Sequence, residues 1–332
     1  MTAGTTIRRN GKAEMAALQG VDVWWESEGC RPQRLTRDEA RDLDAVQAAA
    51  GMDWQIGRSR VRYGEGVGQL TWDDHHVLFR KDTKAPLGLV SPAYRVVQPR
   101  QILETFADVV QLGGAHIETA GTLFGGRRFW ALARIDGAEA AIGSGDVVRG
   151  YLLAVTSADG SLKTTLTETT VCVVCNNTVQ MALAERGARV AIGHRTELTA
   201  ARLTQLKERL AQTGKHFGAF MEAGRALAKA KIAAADARTF VETLLRDQKL
   251  ISAADPERST GYRKVLELFN GAQLGGRLAS RNGTLWGLVN AVTEYSDHHV
   301  KTDNPSLKID NAWFGRGDAL KSAALAKALA LV

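Results

Sequence analysis

The pattern of apolar and polar positions divides the chain into a hairpin-rich first part and a helical second part. The clearest signal runs from Tyr151 to Glu185, YLLAVTSADGSLKTTLTETTVCVVCNNTVQMALAE. It predicts two strands joined by a turn at Asp159-Gly160-Ser161, running without a breaker into an amphipathic helix. Upstream, HIETAGTLFGGRRFWALARID predicts a second hairpin about Gly125-Gly126, because both central positions of the favoured turn need φ > 0. A weaker loop signal follows at Gly143 to Gly145. HHVLFRKDTKAPLGLVSPAYRVVQP predicts a third hairpin turning near Lys84-Ala85-Pro86, with Pro92 marking a break or an edge. Before it, GRSRVRYGEG alternates basic and other residues within a β-rich stretch from 52 to 98. A helix opens at Gln98-Pro99. Its residues Ile102, Leu103, Phe106, Val109, Val110 and Leu112 keep helical spacing, and Gly113-Gly114 stop it.

The first fifty residues are polar, with a helix predicted from Thr36 to Ala50. Thr36 and Glu39 stand at the spacing of a capping box. From Leu198 onward, Leu203, Leu206, Leu210, Phe217, Phe220 and Leu227 form one stripe among basic residues, as helix-on-helix or subunit packing requires. Asp255-Pro256 to Thr260 reads as a linker before a last helical unit holding GTLWGLVNAVTEYSDHH and DALKSAALAKALALV. The expected organisation is a polar and helical segment over 1–50, an α+β core over 51–197, a long amphipathic helical region over 198–254 and a C-terminal helical unit over 255–332. Antiparallel hairpins with interposed helices argue for an α+β fold and against a doubly wound parallel sheet.

Composition narrows the setting. The 332 residues suffice for an ample core, and 45% apolar with 24% charged residues is ordinary for a globular protein. No apolar run is long enough to span a bilayer, and no apolar core follows Arg8-Arg9 as a secretory signal needs, so no membrane partner is expected. Three cysteines give no disulfide framework and point to the cytoplasm. The net charge of +7 leans toward polyanions, nucleic acid first.

Candidate chemistry is sparse. Cys172-x-x-Cys175 has neither a second such pair nor a histidine pair at ligand spacing, and its apolar flanks read as packing. The pairs His75-His76 and His298-His299 diverge in direction and make poor chelates. Asp73, Asp74 and His75 leave open a metal-dependent nuclease. No dinucleotide fingerprint, P-loop, HExxH or nucleophile elbow is present, so neither a catalytic residue nor a cofactor is expected. Arg127-Arg128-Phe129-Trp130 differs, because basic residues at a hairpin tip with aromatics behind them can hold phosphates and stack bases. Arg134, Arg149 and Lys163 flank it, and Tyr151 is a further stacking candidate. The competing reading places one aromatic in the core and leaves solvated arginines at a turn. Asn176-Asn177-Thr178 stands where the last predicted helix begins, either as caps or as phosphate ligands.

Several blocks resemble a known family. LFRKDTKAPLGLVSPAYRVVQ, IETAGTLFGGRRFWALARI, YLLAVTSADGSL and VCVVCNNTVQMAL, with WGLVNAVTEYSDH and Trp313-Phe314-Gly315, are similar to the phage/plasmid-like protein family, domain of unknown function 932. The resemblance covers roughly Gly51 to Lys321. It departs at Ala158, where the family often has His, and at Cys172, where it often has Arg. It implies DNA metabolism of a mobile element. The hairpin-then-helix core also looks like the β-β-β-α core of single-strand annealing proteins of the RecT, Red-beta and Rad types. That likeness implies single-stranded DNA binding and annealing by a ring or filament, with an exonuclease or a single-strand binding protein as partner. On this expectation Arg127, Arg128, Phe129, Trp130, Arg134, Arg149, Tyr151, Lys163, Asn176, Asn177 and Thr178 line the DNA groove. The alternative is an anti-defence or regulatory protein that acts by binding a host protein.

Overall fold

The computed structural model describes residues 14–23, 25–26, 30–65, 68–112, 114–172, 178–180, 189–192, 213–251, 256–302 and 304–332. Two sheets and their helices make a mixed α+β fold with a helical C-terminal region, as the sequence pattern predicts. The large sheet holds β1 (Met15–Leu18), β2 (Gln33–Leu35), β6 (Ala115–Leu123), β7 (Arg128–Gly143), β8 (Asp146–Ser157), β9 (Thr164–Cys172), β10 (Thr178–Gln180) and β11 (Arg189–Ile192). Its order is β10-β9-β8-β7-β6-β1-β2, and β11 pairs with β9 beside β10. Its pairs are antiparallel except β1 with β2. The small sheet is the antiparallel meander β3 (Ile56–Tyr63), β4 (Leu70–Arg80) and β5 (Pro86–Val90).

Glycine sets the hairpin turns. Gly126 has φ of 97° and lies so near Trp54 that a Cβ there would sit 2.4 Å from the indole. The turn between β8 and β9 closes with Gly160 at φ 76° and with Asp159 Oδ1 accepting from Ser161 N at 2.9 Å. The capping box also forms: Glu39 Oε2 accepts from Thr36 N (2.8 Å), and Thr36 Oγ1 accepts from Glu39 N (3.2 Å). It opens a short turn at Glu39–Arg41, and helix α1 (Leu43–Ala49) starts afresh at Asp42, whose side chain accepts from Asp44 N. The predicted helix over 36–50 is therefore two pieces. Helix α2 spans Pro99–Leu112 as predicted.

One expectation changes. The hairpin of β8 and β9 does not run directly into a helix: Thr178–Gln180 is strand β10, paired with Val171–Thr169. The open edge of β9 offers backbone donors and acceptors, and pairing satisfies them. The helical region expected from Leu198 lies partly outside the described residues, which resume with α3 (Thr213–Lys229).

After α3 come α4 (Ala234–Asp247), α5 (Thr260–Glu267), α6 (Leu285–Glu294), α7 (Pro305–Phe314) and α8 (Arg316–Leu329). Both faces of the large sheet are covered. Phe129, Ala131, Ala133 and Leu152 join the core with Phe106 of α2, Phe220 of α3 and Trp286 of α6. On the other face Trp130, Leu132, Tyr151 and Leu153 pack with Trp25 and with Ile309 and Trp313 of α7. That is why β8 reads as a near-continuous apolar run rather than a strict alternation. The larger cluster takes in residues from Ala16 to Ala328 and includes members of all four expected segments.

A buried polar node fastens the helical region to the turn of β7 and β8. Asp146 accepts from Arg281 Nη2 (2.6 Å) and Nε (3.1 Å), from Ser280 Oγ (2.8 Å) and from Trp286 Nε1 (2.9 Å). Cys172 lies against the same guanidinium, with its Sγ 2.6 Å from Arg281 Nη2. Gly287 lets α6 lie close against the Arg281 backbone, since a Cβ there would fall 1.8 Å from the Arg281 carbonyl oxygen. Among the described residues no helix is long and apolar enough to cross a membrane, and no group of three or more His, Cys, Asp or Glu is placed to hold a metal ion.

Candidate nucleic-acid interface

The sequence places its stacking aromatics on β7 and β8, and the structure buries them. Phe129 is 0% exposed, Trp130 1% and Tyr151 4%, so none offers a face to a base. Phe129 meets Trp54 on one side of the sheet, with ring centroids 5.6 Å apart. Trp130 is wedged edge-to-face between Trp25 (6.1 Å) and Trp313 (4.7 Å) on the other. Both aromatics belong to the core because each sheet face has its own covering layer. The Tyr151 hydroxyl donates to Glu118 Oε2 at 2.8 Å. Burial, with the Glu118 charge beside it, pushes that phenol well above its ordinary pKa.

The arginines nearby are mostly engaged. Arg128 pairs with Asp310 of α7 and lies over the Phe124 ring, and burial lowers its pKa. Arg149 Nε donates to Glu139 at 2.8 Å, and Arg134 pairs with the same carboxylate. Arg149 and then Arg134 hold the Glu139 carboxyl below its ordinary pKa. Arg127 and Lys163 remain solvent-exposed, in the turn before β7 and the turn between β8 and β9. Those turns adjoin, since the Arg127 carbonyl accepts from Ala158 N at 2.7 Å. Asn176 and Asn177 lie outside the described residues, and Thr178 begins β10 instead of a helix.

The exposed basic and aromatic residues are on a different hairpin. The outer parts of β3 and β4 extend into solvent as a two-stranded arm. Strand pleating puts Arg58, Arg60 and Arg62 on one face, each about 7 Å from the next. Arg58 is anchored: its Nη2 donates to the Pro92 carbonyl at 2.9 Å and sits 3.2 Å from His76 Nδ1. Arg60 and Arg62 are exposed and carry no ion pair among the described residues. On the opposite face, Val61 pairs with Trp72 and Tyr63 with Leu70. Tyr63 is 53% exposed, Leu70 58% and Trp72 41%. The Trp72 ring leans on His75, with centroids 3.9 Å apart. Asp73, Asp74 and His75 occupy the irregularity where the register of β4 against β3 jumps.

The arm connects to the hairpin turns through residues 91–95. Arg58 holds the carbonyl of Pro92, and two residues on the Tyr94 hydroxyl donates to the Ser157 carbonyl at 2.9 Å. The base of the arm is thus tied, through residues 92–94, to the end of β8. GRSRVRYGEG announced the alternation of Arg58, Arg60 and Arg62, but nothing in the sequence said that its partner strand would stand clear of the body. β3 is also an edge strand, to which only β4 is paired among the described residues. At its base the Gln98 side chain stands in for a neighbouring strand, accepting from Ile56 N (2.8 Å) and donating to Ile56 O (3.2 Å).

Fold and surface together define an α+β protein with a two-sided core and a projecting arm that is basic on one face and aromatic on the other. The family model described as "Domain of unknown function (DUF932)" matches residues 86–318, and the chain belongs to that family. The matched residues begin at the first position of β5 and run into α8, so the arm of β3 and β4 precedes them. No curated protein and no solved structure matches the chain.

Proposed function

We propose that this protein is a single-stranded DNA binding and annealing protein of a phage or plasmid, acting in the cytoplasm as a ring or filament. The observation that carries the reading is the alignment of Arg58, Arg60 and Arg62 on one face of an exposed ribbon, with Arg60 and Arg62 free of ion pairs among the described residues. Guanidiniums at two-residue spacing track a phosphate backbone, and exposed Trp72 and Tyr63 supply ring faces for unpaired bases. Annealing requires only that one strand be held by its phosphates with base edges left open to a second strand. It needs no nucleophile, metal or cofactor, and an exonuclease or a single-strand binding protein is the natural partner. The test is fluorescence anisotropy of a labelled oligonucleotide at low and high salt, with an unlabelled duplex as competitor. The reading expects binding at low salt, release at high salt and preference for the single strand. Absence of binding at low salt overturns it.

The apolar side of the same small sheet favours a second reading, in which the protein acts by binding a host protein. Leu89 pairs with Val77 on the face that carries Val61 and Tyr63, and at 53% exposed it extends the patch of Tyr63, Leu70 and Trp72. A partner retained on that patch by a chain that ignores oligonucleotides is the result that selects this reading.

A further inference from the structure

A small pocket, open to solvent at Asp22, lies between the second face of the large sheet and α7, and none of its lining residues belongs to the arm. Its volume is about 30 Å3, and Trp25, Tyr151 and Trp313 wall it. The chain carries a net charge of +7, yet no lysine or arginine lines this space; its charged lining groups are the carboxylates Glu118 and Asp22. Glu118 occupies a β-bulge, where the register of β6 against β7 shifts between Ile117 and Thr119. Bulges re-aim a side chain, and here the carboxylate turns toward the Tyr151 hydroxyl. Glu118 Oε2 accepts that hydroxyl at 2.8 Å, while Oε1 has only long contacts, 3.5 Å to His116 Nε2 and 3.9 Å to Arg134 Nη1. Beside it Thr119, 3% exposed, lines the cavity with an Oγ1 that has no hydrogen-bond partner among the described residues. Buried hydroxyls are satisfied as a rule, so this one calls for an occupant.

The available space and chemistry specify that occupant. At roughly 10–15 Å3 per water, the cavity has room for about two heavy atoms. Its polar groups are acceptors for a donor-rich ligand: a carboxylate oxygen with spare lone pairs and a threonine oxygen. Its walls are indole and phenol rings, which attract a cation over their faces. We propose that this cavity is a binding site for a small primary ammonium ion of methylammonium size. The ammonium donates to Glu118 and Thr119, and the methyl group lies against Trp25 and Trp313.

The test titrates methylammonium chloride into the full chain while tryptophan emission is followed, with calorimetry in parallel and sodium chloride at matched ionic strength as the blank. Saturable binding with a Kd in the millimolar range is expected, the scale open to so small a ligand. Tetramethylammonium, too large for the cavity, should give no saturable response. Glu118→Gln should weaken binding at least tenfold. Thr119→Val keeps the side-chain shape and removes only the hydroxyl, so it carries the test if Glu118→Gln fails to fold. A response equal to the sodium chloride blank, or an affinity unchanged in Thr119→Val, overturns the proposal.

Discussion

Arg281→Met should be among the most damaging single substitutions in the chain, for a reason that can be worked from geometry. The side chains of Arg281 and Asp146 are both 0% exposed, and two hydrogen bonds of 2.6 and 3.1 Å join them. Methionine fills much of the same volume but leaves a buried carboxylate with only neutral donors, Ser280 Oγ, Trp286 Nε1 and the more distant Cys172 Sγ. Breaking a buried ion pair from one side costs about 3–5 kcal/mol. At the roughly 2 °C per kcal/mol expected of a large domain, the Tm should fall by about 6–10 °C. Asp146→Asn combined with Arg281→Met removes both charges and keeps an acceptor for Ser280 or Trp286, so the pair should cost less than the sum of the two single changes. The same node sets a pH dependence. Burial alone would raise the Asp146 pKa, but the hydrogen bonds and charge of Arg281, with Ser280 and Trp286, bring it below its ordinary value. A carboxyl depressed in the folded state adds stability above its unfolded pKa of about 4, and that stability is lost as pH falls through the folded value. The wild type should therefore lose stability in acid more steeply than Arg281→Met does. Urea denaturation followed by tryptophan emission, over a pH series, measures all of this. A loss under about 1 kcal/mol, or strict additivity in the double variant, would refute the reasoning.

Two further outcomes separate the buried aromatics from the exposed ones. Trp130→Ala should cost about 3–5 kcal/mol of stability, because its ring is enclosed by Trp25 and Trp313. Trp72→Ala should leave Tm within about 2 °C and weaken oligonucleotide binding by about 1–3 kcal/mol, read by thermal melting and anisotropy. His116 should titrate above its ordinary value of 6.5, since Glu118 and then Asp136 favour its charged form over the opposing effect of burial. Whatever stability that charge contributes is present below the unfolded pKa and fades as pH rises through the folded one; an NMR titration of the ring protons reads the midpoint.

Turn chemistry made much of this fold legible in the sequence. Gly125-Gly126, Asp159-Gly160 and the Thr36–Glu39 box are local devices, and each forms where the residues place it. Helix α2 was legible for a similar reason, since its stripe repeats over a long window. The second layer was not legible. A strand's pattern does not reveal whether its other face is open, and Trp130 and Tyr151 are buried by Trp25 and by α7 from the far end of the chain. For the same reason the DNA surface we propose lies on the arm of β3 and β4 rather than at the tip of β6 and β7, where the sequence pattern put it. The Arg58–Arg60–Arg62 alternation was visible, but its solvent exposure is a tertiary property. Asp146 and Arg281 gave no local signal either, being single charged residues far apart in sequence. Strands β1 and β2 are only MAAL and QRL, too short for a period to emerge from a polar stretch.

The central claim is that the arginine face of the arm holds a phosphate backbone. The most direct measurement compares wild type with Arg60→Ala/Arg62→Ala as a labelled single strand is titrated across a salt series. Each phosphate contact on a single strand contributes a slope of about −0.7 in log K against log salt, so losing two should flatten the slope by about 1.4. Near 0.1 M salt the affinity should drop about 25-fold, with thermal stability unchanged. A slope and affinity that match wild type would contradict the account.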